Sequence, residues 1–187
     1  MSAVRAVFRD LVEYEEEIVD EASSARATTG PLAGGRRARI MLAEDDAEMR
    51  TLLVDSLSRD GYEVIATENG LQMIEEIRLL LFRGDPMPVD LIVSDERMPG
   101  MPGLEFLSVL REAEWPTPFI LITGFGDEST HERALRLGAS AVFDKPFDID
   151  DLRRTVLAAL IDCGSAPAAG GGAPPAPGAL QDNPGME

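Results

Sequence analysis

The chain carries five short apolar runs, and each ends on polar groups able to do chemistry. RIMLA leads into Glu44, Asp45 and Asp46, and DLIVS leads into Asp95. FILIT closes on Thr123, AVFD runs into Lys145 and Pro146, and YEVIAT offers only Thr67 and Glu68. Carboxylates a few ångströms apart repel by about 4 kcal/mol per pair at an effective dielectric of about 20. A cluster of them takes up protons or binds a cation. Oxygen-only ligands at a solvent-facing edge suit Mg2+, which keeps several of its waters. Zinc lacks a ligand set, because the chain has one cysteine, Cys163, and one histidine, His131.

Lys145 is the only lysine; the other 16 of the 17 basic residues are arginine. A site that needs a compact point charge rather than a planar fork accounts for that exception. Mg2+, an ammonium and the Thr123 hydroxyl together suit the three oxygens of a phosphoryl group in transfer. The nucleophile would be a carboxylate not spent mainly on the metal, forming an acyl phosphate. Asp95 is the best placed, at the mouth of an apolar run and ahead of a stiff Met-Pro-Gly loop.

These groups need elements to position them. Between the five strand-like runs lie amphipathic stretches. AEMRTLLVDSLSRDG puts Met49, Leu52, Leu53 and Leu57 at the spacing of one helical face, and LQMIEEIRLLLF does the same with Leu71, Ile74, Ile77 and Leu81. GLEFLSVLREAE and HERALRLGA follow, the latter stopping at Gly138. Asp46 and Asp148 are placed to cap the first and last helices. Strand–helix alternation five times over predicts an α/β fold, a parallel sheet covered on both faces. Strands 1, 3 and 4 are apolar enough for the centre, whereas YEVIAT suits an edge. In such a sheet ligands gather outside the carboxyl ends of the strands, where the residues above lie.

Composition limits the partners. A net charge of −17 without a basic cluster argues against direct nucleic-acid binding and against an anionic membrane surface. No apolar stretch approaches the roughly 20 residues of a membrane span. One cysteine allows no disulfide within the chain, which fits the expected cytoplasmic setting. Three regions are expected: an acidic helix and linker over 1–35, the α/β domain over 37–163, and a Gly/Ala/Pro-rich disordered tail over 164–187. Val4, Val7, Phe8, Leu11, Val12, Ile18 and Val19 form a partial apolar face, broken at Glu15, that would dock on the domain or on a partner. The stretch LLLFRGDPMPVD ahead of strand 3 looks a few residues longer than usual, and its end makes a proline-braced loop.

LAEDDAEMR, DLIVSDERMPGMPGLEFL, ILITGFGD and GASAVFDKPF, in that order, resemble the receiver domain of bacterial two-component response regulators. The resemblance covers residues of about 38 to 161. It implies a doubly wound (βα)5 flavodoxin-like sheet in the order 2-1-3-4-5, and phosphoryl transfer from a histidine kinase or a phosphotransfer protein. By the same resemblance Glu44 and Asp45 are the acidic pair, with Asp45 favoured as the direct Mg2+ ligand. Asp95 is the phosphoacceptor and a metal ligand, and the backbone carbonyl of Arg97 is a further ligand. Thr123 is the switch hydroxyl, and Lys145 with Pro146 is the family's Lys-Pro pair. The partners implied are the kinase and a downstream protein, with a homodimer allowed, and the only catalysis is of the chain's own phosphorylation and dephosphorylation.

The departures from the family pattern are informative. The family often has an aromatic three residues before the lysine. Val142 stands there, and the aromatic is Phe143, expected on the opposite side of the strand. The output surface around Thr123, Val142, Phe143 and Pro146 would therefore be read differently. Bulk at Arg97 and Phe125 would shield an acyl phosphate from water. No DNA-binding pattern follows the domain, so output through protein contact is expected. The alternative is an adaptor that keeps the fold and signals through its N-terminal helix without turnover. A Mg2+-dependent phosphatase of related fold would need an acid two residues after the nucleophile, where Arg97 stands.

Overall fold

The computed structural model describes residues 37–83, 89–124 and 128–162. The expected N-terminal helix and linker, the tail over 164–187, the middle of the proline-braced loop and Phe125 lie outside the described residues. Among these residues five strands, β1 (Arg39–Ala43), β2 (Glu63–Thr67), β3 (Leu91–Asp95), β4 (Phe119–Thr123) and β5 (Ala141–Asp144), alternate with five helices. The helices are α1 (Ala47–Arg59), α2 (Gly70–Phe82), α3 (Gly103–Glu112), α4 (Glu128–Arg136) and α5 (Ile149–Asp162). The strands form one parallel sheet in the order β2-β1-β3-β4-β5. The expected order and the edge position of β2 both hold. LIVSD and FILIT are buried throughout, as strands covered on both faces must be.

Strand alternation divides the core in two. Met41, Ala43, Ile92, Phe119 and Leu121 face α2, α3 and α4, whereas Ile40, Leu42, Leu91, Val93, Ile120 and Ile122 face α1 and α5. Val142 packs on the first side and Phe143 on the second, against Phe147, with ring centroids 5.6 Å apart. That is the separation expected from a period of two.

Local signals fix the helix ends. Asp46 accepts from the Met49 amide at 2.7 Å and starts α1, and Asp148 accepts from the Asp150 amide at 2.8 Å ahead of α5. Gly138 takes a φ of +84° after α4, where the Ala139 amide reaches back to the carbonyl of Ala134. Two details differ from the sequence expectation. Leu52 and Leu71 are exposed, because Leu53 and Leu57, and Ile74, Ile77 and Leu81, define the sheet-facing stripes and Met73 joins the second. Leu52 sits a full 100° around α1 from Leu53, and Leu71 lies in the first turn of α2, level with the loop holding Gly100. In addition, α4 begins at Glu128, three residues ahead of the expected HERALRLGA stretch.

Candidate functional site

Parallel register brings the strand ends together. Ala43 pairs with Ser94, Asp95 with Ile122, and Thr123 with Asp144. The next residues along β1 and β5 are Glu44 and Lys145. The ladder runs one step further on each side of β4, with the Glu96 amide donating to Ile122 and the Lys145 amide to Thr123, both at 2.7 Å. Glu44, Asp95, Thr123 and Lys145 are thus held by backbone on four adjacent strands. The Lys145–Pro146 peptide bond is cis.

One ammonium ties the acids. Lys145 Nζ donates to Glu44 Oε1 at 2.8 Å and Oε2 at 2.7 Å, and lies 2.6 Å from Asp95 Oδ1. Asp95 Oδ2 accepts from the Arg97 amide. Glu44 is 0% exposed and Asp95 3%. Burial pushes the Glu44 carboxyl above its ordinary value; the Lys145 hydrogen bond opposes this and the charge of Asp95 adds to it. For Lys145, desolvation pulls downward, but hydrogen bonds to Asp95 and Glu44 outweigh it and hold the ammonium above its ordinary value.

The two acids at the end of β1 are not equivalent. Glu44 points inward onto Lys145, and Asp45 is exposed. Asp45, the Asp95 carboxylate and the loop carrying Arg97 stand at one sheet edge, with oxygen donors alone on offer. Among the described residues no group of three or more Asp, Glu, His or Cys side chains closes on a metal position by itself. A cation here would rely on two carboxylates, a carbonyl and water, the open kind of set that Mg2+ takes. The side chain of Asp95 is fixed but not open, since both its oxygens already accept hydrogen bonds.

The loop behind the nucleophile is built to tight tolerance. α3 begins after Pro102, which has no side-chain cap, and Glu96 Oε2 instead accepts from the Leu104 amide at 2.7 Å. Burial raises the carboxyl of Glu96, and that amide bond partly counters the rise. Nothing in the spacing of Glu96 announced this role. A Cβ on Gly103 would stand 2.6 Å from the carbonyl oxygen of Asp95 and 2.7 Å from Leu121 Cδ1. The first is backbone of a central strand, and the second is the end of a side chain with no exposed surface. Gly103→Ala is therefore expected to cost about 1–3 kcal/mol in urea unfolding, as overpacked cores do. An unchanged midpoint would show that the loop can give way.

Two further residues meet the site without having been singled out by sequence. Arg50 folds back from α1 onto the carbonyls of Glu44 and Asp45. His131, named above only as too little for a zinc site, lies 2.9 Å from Asp144 Oδ1 through Nε2. An arginine in a chain rich in arginine, and a histidine on a polar helix, carry no distinguishing pattern.

Comparison with known proteins agrees with this geometry. The family model described as the response regulator receiver domain matches residues 40–157. Sporulation initiation phosphotransferase F of Bacillus subtilis (strain 168) is 30% identical over 118 residues, 63% of this chain and 90% of that protein. The regulatory protein AtoC of Escherichia coli (strain K12) is 36% identical over 122 residues, 65% of this chain but 25% of its own length. Longer relatives of that kind are therefore matched only in part. Among solved structures, chemotaxis protein CheY4 of Vibrio cholerae superposes with a TM-score of 0.53 at 26% identity, over 65% of this chain and 97% of that one.

Proposed function

Since the chain belongs to the response regulator receiver domain family, we propose that Asp95 accepts a phosphoryl group from the phosphohistidine of a histidine kinase or phosphotransfer protein. The reaction depends on Mg2+, takes place in the cytoplasm, and the phosphorylated chain signals by contact with a downstream protein. The observation that carries this reading is the meeting of Glu44, Asp95 and Lys145, with Lys145 Nζ within 2.8 Å of both acids.

The chain's own groups divide the work. An oxygen of Asp95 attacks phosphorus, the O–P bond forms, and the P–N bond to the donor imidazole breaks with its electron pair returning to nitrogen. Asp95 Oδ1 must first exchange Lys145 for the incoming group. Lys145 stays anchored on Glu44 while it does so, which leaves its ammonium beside the phosphoryl oxygens. Thr123, on the strand next to Asp95, supplies a hydroxyl to another of those oxygens. Asp45, Asp95 and the Arg97 carbonyl would hold Mg2+, which when bound supplies positive charge against the phosphoryl oxygens. Because Thr123 and Lys145 share a backbone hydrogen bond, a shift at Thr123 is passed to β5 and the surface around Val142, Phe143 and Pro146.

The test is incubation of the full chain with a small acyl-phosphate donor and Mg2+, followed by intact mass. One added phosphoryl group, prevented by a chelator, is the expected result. A folded chain that gains no mass with Mg2+ present would instead be a non-turnover adaptor.

A further inference from the structure

We infer that Arg50 is a positioning residue for the acid pair, holding the turn between β1 and α1 in the shape that Mg2+ uptake requires. The inference rests on the Mg2+ reading above. Arg50 lies in the first turns of α1, and its side chain is only 18% exposed. Its Nη1 donates to the carbonyl of Glu44 at 2.7 Å and to that of Asp45 at 3.2 Å. Its Nη2 meets Glu68 Oε1 at 3.2 Å, on the neighbouring loop after β2.

The backbone explains why this matters. The Glu44 amide still donates into the sheet, to the Thr67 carbonyl, and the Asp46 carbonyl already accepts the first α1 bond, from the Arg50 amide. The carbonyls of Glu44 and Asp45 fall between ladder and helix, and the guanidinium holds both. Glu44 has a second anchor in Lys145, through its side chain. Asp45 is exposed, so the direction of its carboxylate depends on the dihedrals that Arg50 fixes. The guanidinium gives both carbonyls one nitrogen, Nη1, and keeps the second, Nη2, on Glu68; an ammonium has a single nitrogen, on a shorter stem, for all three partners.

Charge alone predicts the opposite sign. A guanidinium near a divalent cation repels it, so removing Arg50 for its charge would tighten Mg2+ binding. Loss of positioning weakens it, and groups that orient metal ligands from behind typically matter by about 10- to 100-fold in affinity.

The experiment titrates the full chain with MgCl2 by calorimetry, with no phosphoryl donor, for the wild type, Arg50→Lys and Arg50→Met. The melting temperature in chelator is measured alongside. Both variants are expected to bind Mg2+ about tenfold or more weakly than wild type. With an acyl-phosphate donor, their rates should recover at saturating Mg2+, which places the loss in metal affinity rather than in the transfer step. A merely structural role would lower the melting temperature in chelator and leave the Mg2+ midpoint alone. Wild-type affinity in Arg50→Lys, or tighter binding in Arg50→Met, overturns the inference. If Arg50→Met does not fold, the lysine variant decides. A wild type that binds no Mg2+ refutes the underlying Mg2+ reading, a result distinct from any difference between variants.

Discussion

Asp95→Asn is expected to gain no phosphoryl mass from an acyl-phosphate donor while remaining folded. The amide is close to isosteric, and it sits at the end of a strand that is buried along its whole length. Both oxygens of Asp95 now face donors, Lys145 Nζ and the Arg97 amide. An asparagine can satisfy only one of these with its carbonyl, and the lost bond costs about 1–3 kcal/mol. Against that, a negative charge leaves the neighbourhood of Glu44, whose carboxyl Asp95 helps to push up. The terms oppose each other, so unfolding free energy should move by about 1 kcal/mol in either direction. Lys145 keeps both contacts to Glu44 and the site keeps its shape. Intact mass and urea unfolding on the same sample separate lost chemistry from lost fold. An adduct that survives in Asp95→Asn would move the acceptor to another acid.

Lys145→Met should do the larger damage to stability. Among the described residues it leaves Glu44, which has no exposed surface, with a 3.4 Å contact from the Asp46 amide. Removing one partner of a buried pair costs about 3–5 kcal/mol. The lower end applies, because the side chain of Lys145 is 23% exposed and water reaches the vacated place. The pH dependence follows from the direction of the Glu44 shift, upward from an ordinary value of 4.5. A raised folded-state value means that the folded chain holds the proton more tightly than the unfolded one. Glu44 therefore costs stability above the ordinary carboxylate range, and the cost fades as pH falls toward it. Without the lysine the value rises further. The deficit of Lys145→Met should be widest at about pH 7.5 and narrow toward about pH 5 in urea unfolding. A deficit equal at both would mean that the stranded Glu44 is not its cause. Phosphorylation in the variant should slow by about a hundredfold or more, the usual effect of losing one aimed cationic donor.

The sequence by itself determined the order of elements, the parallel sheet and the opposite facing of Val142 and Phe143. These depend on patterns read locally: short apolar runs for strands, successive strand positions pointing to opposite sides, apolar spacing in helices, Asp46 and Asp148 at helix starts, Gly138 at a helix end. It also placed Glu44, Asp95, Thr123 and Lys145 at strand ends, and a parallel sheet carries all strand ends to one edge. The tertiary structure alone decided how those side chains share their contacts. That Glu44 rather than Asp45 takes the lysine, that Asp95 is closed off by two donors, and that Glu96 caps α3 depend on atoms brought together by packing. Lys145 and Glu44 are 101 positions apart. Leu52 and Leu71 were assigned to core stripes for the same reason in reverse. Helical spacing says which residues share a face, but the width of the face that becomes buried is set by the sheet it packs against.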